Sequence, residues 1–316
     1  MIALSDTLDG LVIRAQSGFL TVATDAGEYT CRLRGRLKQG EQEGDIVAVG
    51  DRVTITPDED GRGVIEKIHE RRAEFSRMRS GIKREFRQIL LANPDQIVAV
   101  FACAQPEPSL RMLDRFLVIA EKQVVDAVVV ANKVDLVTPE HARALFEIYT
   151  QLGYPVIYTS AQTGQGVAQL REHLKGKLSA LTGPSGVGKS SLLNAIQPDL
   201  GLHVRSVSES TSKGRHTTRV RELFPLDLGG YVADTPGIRS LALWDTEPEE
   251  LDAYFVEMRE LVADCQFSDC THTHEPGCAV LAAVDAGEVA RERYNSYLRL
   301  RFGDDSEEFM DEGDVD

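Results

Sequence analysis

Gly183-Pro184-Ser185-Gly186-Val187-Gly188-Lys189-Ser190-Ser191 decides how this chain is read. A glycine, four residues, then Gly-Lys-Ser is the spacing of a loop that wraps phosphate. The glycines let successive backbone N–H groups point inward at phosphate oxygens with no side chain in the way. The apolar run Leu178 to Leu181 reads as a strand entering the loop. Ser191 to Ile196 reads as the first turns of a helix closed by Pro198. The helix start adds its partial positive charge. In such a loop Lys189 reaches the outer phosphates, and the Ser190 hydroxyl ligates Mg²⁺.

Working outward, strands alternate with helices from about residue 90. Gln96 to Phe101 and Asp126 to Ala131 are continuous apolar runs, as for strands covered on both faces. Ser109 can cap a helix with Leu110, Leu113, Phe116, Leu117 and Ala120 on one face. Further elements are a helix from Pro139 to Leu152, a strand from Pro155 to Tyr158 and a helix from Val167 to Leu174. This alternation implies a doubly wound α/β domain, which binds ligands at the carboxyl ends of its strands.

The other motifs fall at those ends. Asn132-Lys133-Val134-Asp135 resembles the base-specificity motif of GTPases. The Asp135 carboxylate can accept from both guanine N1–H and N2–H₂, a donor pair that adenine lacks. Asn132 would help fix the base, and the Lys133 stem would pack over its face. Ser160-Ala161, after Thr159, resembles the supporting loop whose backbone N–H near Ala161 approaches guanine O6. Asp234-Thr235-Pro236-Gly237 resembles the switch in which Asp234 reaches Mg²⁺ through water and the Gly237 N–H touches the γ-phosphate. Between loop and switch, Thr217 or Thr218 would close on the γ-phosphate and Mg²⁺; the residues do not choose between them. Ile238 stands where many GTPases place a water-orienting glutamine, so intrinsic hydrolysis should be slow. His216 could supply the missing help, or contact RNA instead. Ordinary GTPases place the Asn-Lys-x-Asp and Ser-Ala motifs last. Here they come first, so the GTPase is circularly permuted, with the chain rejoined at surface loops.

Residues 1 to about 75 read as short strands, Leu11–Ile13, Phe19–Val22, Tyr29–Leu33, Ile46–Val49, Arg52–Ile55 and Val64–Ile68, punctuated by glycines. A small Greek-key barrel fits, with the OB-fold the leading candidate. After Leu241, Glu249 to Val262 and Ala279 to Phe302 carry helical patterns. Between them Cys265, Cys270, His272 and Cys278 form a Cys-x₄-Cys-x-His-x₅-Cys set. Three thiolates and an imidazole suit one structural Zn²⁺, with His274 a rival fourth ligand. Cys31 and Cys103 lie in apolar runs and read as buried thiols.

The net charge of -15 argues against indiscriminate nucleic-acid binding. Its distribution is uneven. Residues 304–316 hold eight acids and no base, the composition of a disordered tail, while Arg62 to Arg87 holds nine bases against four acids. No segment has the length of a membrane span and no signal-peptide pattern opens the chain, so a cytoplasmic protein is expected.

Together, the permuted motifs, the barrel and the cysteine set resemble the RsgA family, the small ribosomal subunit biogenesis GTPases, over about residues 1 to 303. Gly-Arg-His-Thr-Thr at 214–218 and Cys-Thr-His-Thr-His-Glu-Pro-Gly-Cys at 270–278 carry the resemblance with the phosphate loop. It implies 30S-stimulated hydrolysis of GTP to GDP, a role in late 30S maturation, and a barrel and zinc domain that grip 16S rRNA. The basic run and Lys213, Arg215, Arg219 and Arg221 would supply phosphate contacts. The expected organisation is an OB-fold barrel (1–75), a permuted α/β P-loop GTPase domain (76–242), a zinc-binding helical domain (243–303) and the acidic tail (304–316), as a monomer.

Overall fold

Alternating apolar residues close the N-terminal segment on itself. Five strands, β1 (Leu8–Gln16), β2 (Phe19–Thr24), β3 (Gly27–Leu33), β4 (Arg52–Pro57) and β5 (Arg62–Ile68), run in the order β1-β2-β3-β5-β4. β4 also pairs with β1, which closes the barrel. Val12, Val22, Cys31, Val53, Ile55 and Ile65 fill its interior. The computed structural model describes residues 7–38, 44–78, 87–202, 221–234 and 246–303.

Ile46–Val49 is not the strand its composition predicts; it is a bend. Its polar groups are engaged elsewhere. The buried Asp51 carboxylate accepts from the Ala48 N–H at 2.8 Å, Arg71 donates to the Ile46 carbonyl at 3.2 Å, and the Ala92 N–H donates to the Val49 carbonyl at 2.9 Å. Ala92 belongs to a hairpin, β6 (Glu74–Met78) and β7 (Arg87–Ala92), that the sequence did not reveal. It ties barrel to sheet so closely that a Cβ on Gly50 would lie 2.0 Å from the Ala92 carbonyl oxygen.

The central sheet follows. β8 (Gln96–Ala102), β9 (Asp126–Asn132), β10 (Val156–Thr159), β11 (Leu178–Thr182), β12 (Arg221–Pro225) and β13 (Tyr231–Asp234) adopt the order β10-β9-β8-β11-β13-β12. All but β12 are parallel to their neighbours. β12 was also unforeseen. It pairs with β13 on one side and with β1 on the other, joining barrel and sheet into one eleven-stranded surface.

Helices α1 (Leu110–Gln123) and α2 (Pro139–Gln151) cover one face; α3 (Val167–Leu174) and α4 (Lys189–Ile196) cover the other. Double coverage explains why β8 is buried at every residue. Ser109 stands at the α1 N-cap, but its side chain makes no capping hydrogen bond.

The C-terminal part departs from its helical pattern. Glu249–Val262 forms no α-helix; Pro248–Tyr254 and Val262–Asp264 are 3₁₀ turns. The first turn places Asp252 on His272, and the segment between the two turns places Glu257 on Arg293. Ala279–Phe302 breaks into α5 (Ala279–Asp285) and α6 (Arg291–Phe302), with Gly287 at φ +75° between them. Arg293, 1% exposed, fixes this part to α1: it donates to Asp114 at 2.7 Å and to both oxygens of Glu257, and it stacks 4.6 Å over Phe255. Tyr149 of α2 completes the cluster with a 2.8 Å bond to Asp114.

Candidate functional site

Strand register brings the motif ends level. Asn132, the last residue of β9, lies opposite Ala102 of β8 and Thr159 of β10. Leu181 of β11 lies opposite Asp234, the last residue of β13. Segments far apart in the chain thus share one edge of the sheet.

Side chains then lock them together. The Asn132 amide donates to the Val187 carbonyl of the phosphate loop at 2.7 Å and accepts from the Thr159 hydroxyl at 3.0 Å. The side chain is 1% exposed, so both bonds are made away from water. Asn132 therefore bridges three strand ends. The supporting role of Thr159 was not legible in the sequence.

The phosphate loop needs its glycines. A Cβ on Gly183 (φ +131°) would lie 2.0 Å from the Val100 carbonyl oxygen, and one on Gly188 (φ +97°) 2.5 Å from Asn132 Nδ2. Lys189 Nζ donates to the Gly183 and Pro184 carbonyls at 2.9 and 2.7 Å, so the ammonium is held under the loop. Pro184, Ser190 and Ser191 are half-buried, Ser185 and Gly186 are exposed, and Val187 is buried.

On the base side Asp135 is exposed and Val134 half-buried, in a short 3₁₀ turn after Lys133. Lys133 Nζ donates to the Gln105 carbonyl, and burial lowers its pKa against the pull of Asp135. Burial pushes the nearby Cys103 thiol up to about 11, with the Asp135 charge adding to it. The Ser160 hydroxyl, buried, accepts from the Thr163 N–H at 3.1 Å, which tightens the loop carrying half-buried Ala161. An exposed carboxylate three residues past Asn132, on the same sheet edge as this loop and the Gly183–Ser191 loop, suits a purine nucleotide laid along that edge.

His216, Thr217, Thr218 and Gly237 lie outside the described residues, as do Lys213, Arg215, Arg219, Arg79, Lys83, Arg84 and the acidic tail. Asp234 is described in its backbone, at the end of β13. Part of the basic run proves structural. Arg71 is bidentate to buried Asp51 at 2.7 and 2.8 Å, Arg72 pairs with Asp95, and Arg87 pairs with Glu74. Arg62 and Lys67 are exposed on the barrel.

Cys265, Cys270, His272 and Cys278 bring their ligand atoms within 4.8 Å of one another, a set that can hold a metal ion. His272 Nδ1 faces Cys278 Sγ at 3.3 Å and Cys265 Sγ at 3.7 Å, while Nε2 meets Asp252 at 3.1 Å. A carboxylate on the far nitrogen orients a ligating imidazole and raises its basicity. His274 is excluded from the set: it is exposed, with its ring on Thr273. The Tyr294 hydroxyl donates to the His272 carbonyl at 2.6 Å and so holds the turn at φ +60°. Glu275 accepts from the N–H groups of Thr271, Thr273 and His274. Burial opposes its ionisation, but the Thr271 hydroxyl and the N–H groups of Thr271, Thr273 and Glu275 itself prevail and hold the carboxyl well below the usual range. Asp252 and Tyr294 carry no motif by which sequence alone finds them; Glu275 sits within the 270–278 motif, but its role in holding the turn shows only in its hydrogen bonds.

The profile of the RsgA GTPase family matches residues 68–244, and that of the RsgA N-terminal domain matches residues 9–65. A relative from Gemmatimonas aurantiaca, named small ribosomal subunit biogenesis GTPase RsgA, is 48% identical over 295 residues, covering 92% of this chain and 96% of its own. A Moorella thermoacetica relative of the same name is 45% identical over 291 residues, covering 92% and 95%. Among solved structures, YjeQ from Thermotoga maritima superposes with a TM-score of 0.76 at 41% identity, covering 94% of this chain and 98% of that one. YloQ, described as a circularly permuted GTPase, gives 0.73 at 34% identity, covering 95% and 96%. With its reversed motif order, its closed barrel and its Cys₃His cluster, the chain belongs to the RsgA family of circularly permuted GTPases.

Proposed function

We propose that this GTPase binds the 30S ribosomal subunit, assists its late maturation and hydrolyses GTP to GDP and phosphate under stimulation by that particle. The observation that carries the nucleotide half is the bond from Asn132 to Val187, which places a guanine-type motif against a phosphate loop. The ribosomal half is supported by relatives named small ribosomal subunit biogenesis GTPases.

In this reading Asp135 accepts from guanine N1–H and N2–H₂, with Lys133 and Val134 flanking the base and Asn132 bracing it. Ser160 and Ala161 form the loop that meets O6. The N–H groups of residues 183–191 cradle the phosphates, and Lys189 neutralises them. Ser190, Asp234 and either Thr217 or Thr218 would hold Mg²⁺, which would supply neutralising charge to the phosphates. Gly237 senses the γ-phosphate through its N–H, and His216 assists the attacking water.

Cys265, Cys270, His272 and Cys278 would hold one structural Zn²⁺, since three thiolates and an imidazole with no open position match that metal. The division into barrel (1–75), GTPase domain (76–242), zinc domain (243–303) and acidic tail belongs to the same proposal. Barrel and zinc domain contact 16S rRNA, with Arg62 and Lys67 as phosphate contacts on the barrel. The protein works as a cytoplasmic monomer. No helix among the described residues is long and apolar enough to cross a membrane.

The test is GTP turnover by the full chain alone, with 30S and with 50S particles. Stimulation by 30S only is expected. Equal rates in all three conditions would overturn the ribosomal half.

A further inference from the structure

We infer that the connection from Cys103 to Ser109, between β8 and α1, is a further wall of the nucleotide pocket. Within it Gln105 is the positioning residue that holds Lys133 along the phosphate loop and thereby slows nucleotide release. The inference rests on the nucleotide reading above.

Three contacts place this segment between the base motif and the phosphate loop. Lys133 Nζ donates to the Gln105 carbonyl. Lys133 Cε lies 4.0 Å from where a Cβ on Gly188 would stand, so the stem runs against the end of the loop. Pro106 Cδ lies 3.8 Å from the equivalent point on Gly186, at the loop's exposed tip. Lys133 thus spans from the phosphate loop to the β8–α1 connection, with its charge satisfied by a backbone carbonyl.

A free lysine stem has many rotamers, and ordering it on binding costs affinity. A carbonyl that already holds the ammonium removes that cost and leaves the stem extended where a base must lie. Gln105 adopts φ +51°, a left-handed backbone that aims its carbonyl at Lys133. Glycine tolerates that conformation; a β-branched residue opposes it. No motif marks Gln105, because the contact is made by its backbone.

The experiment measures dissociation of a fluorescent GDP from the full chain and its variants, with thermal unfolding as the folding control. Gln105→Val should release GDP about tenfold faster, the loss of one charge-assisted hydrogen bond. Gln105→Gly, which keeps the carbonyl and tolerates φ +51°, should release GDP more slowly than Gln105→Val. In a Lys133→Met background, Gln105→Val should add nothing, which a general loosening of the loop would not produce. Wild-type release by Gln105→Val, or an undiminished effect in the Lys133→Met background, overturns the inference.

A measurement on the unmutated chain keeps the idea testable if a variant fails to fold. In the nucleotide-free protein, the acylation rate of Lys133 at its high-pH plateau, where its lowered pKa no longer enters, should be below the plateau rate of exposed Lys67; equal plateau rates overturn the contact. A wild-type chain that binds no GDP would instead overturn the nucleotide reading, and the acylation rates would still decide the contact.

Discussion

Asn132→Asp changes one atom's hydrogen-bonding sense at the junction of three strand ends. The side chain keeps its shape and volume, so packing is preserved. The Thr159 hydroxyl can still donate to it. The Val187 carbonyl, however, loses the 2.7 Å donor and faces a second acceptor in a site 1% exposed. Leaving a buried acceptor unsatisfied costs about 1–3 kcal/mol, and an added buried charge deepens the loss. Because the bond joins the phosphate loop to the base motif, the cost falls on the assembled pocket. At about 1.4 kcal/mol per factor of ten, affinity for GDP should drop about 10–100-fold. Calorimetric titration of GDP against the full chain reads this directly, and thermal unfolding checks the fold. Asn132→Asp with wild-type affinity and wild-type stability would refute the idea that this bond organises the pocket.

Other consequences follow from the same contacts. Arg293→Met leaves Asp114 and Glu257 as buried, unpaired carboxylates and should destabilise the fold by about 3–5 kcal/mol in chemical denaturation, with the C-terminal part released from α1. His272→Ala should abolish stoichiometric metal measured by elemental analysis, and His274→Ala should retain it. Asp252→Ala should weaken metal affinity by about 10–100-fold, because it frees the far nitrogen of His272. Val124→Gly should raise stability by about 1 kcal/mol: Val124 is 91% exposed and ends α1 at φ +52°, where a β-branched residue is strained and glycine is not.

Much of this molecule is legible in the chain because its signals are local. The phosphate loop, the buried strands and the Cys-x₄-Cys-x-His-x₅-Cys spacing each lie within a few residues. What escaped depends on partners distant in sequence. The charged stretch Glu74–Met78 carries no strand-like alternation, and it becomes a strand only because β7 pairs with it. Ile46–Val49 has strand composition, yet Asp51, Arg71 and Ala92 claim its backbone groups. The basic run looked like one RNA-binding face, but Arg71 is turned inward to Asp51 across twenty residues. Thr159 and Gln105 contribute a hydroxyl and a carbonyl whose value appears only once Asn132 and Lys133 stand beside them. The Arg293 cluster joins α6 to α1 over 179 residues, beyond the reach of any local pattern.

We propose a single pocket in which Asp135 reads guanine while Lys189 holds its phosphates. The most direct measurement is competition binding of guanosine, adenosine and xanthosine diphosphates to the wild-type chain and to Asp135→Asn. The wild type should prefer the guanine nucleotide, and Asp135→Asn should lose it by about a hundredfold or more while gaining the xanthine nucleotide, whose 2-oxo group accepts where guanine donates. Equal binding of guanine and adenine nucleotides by the wild type, or unchanged guanine binding by Asp135→Asn, would contradict it.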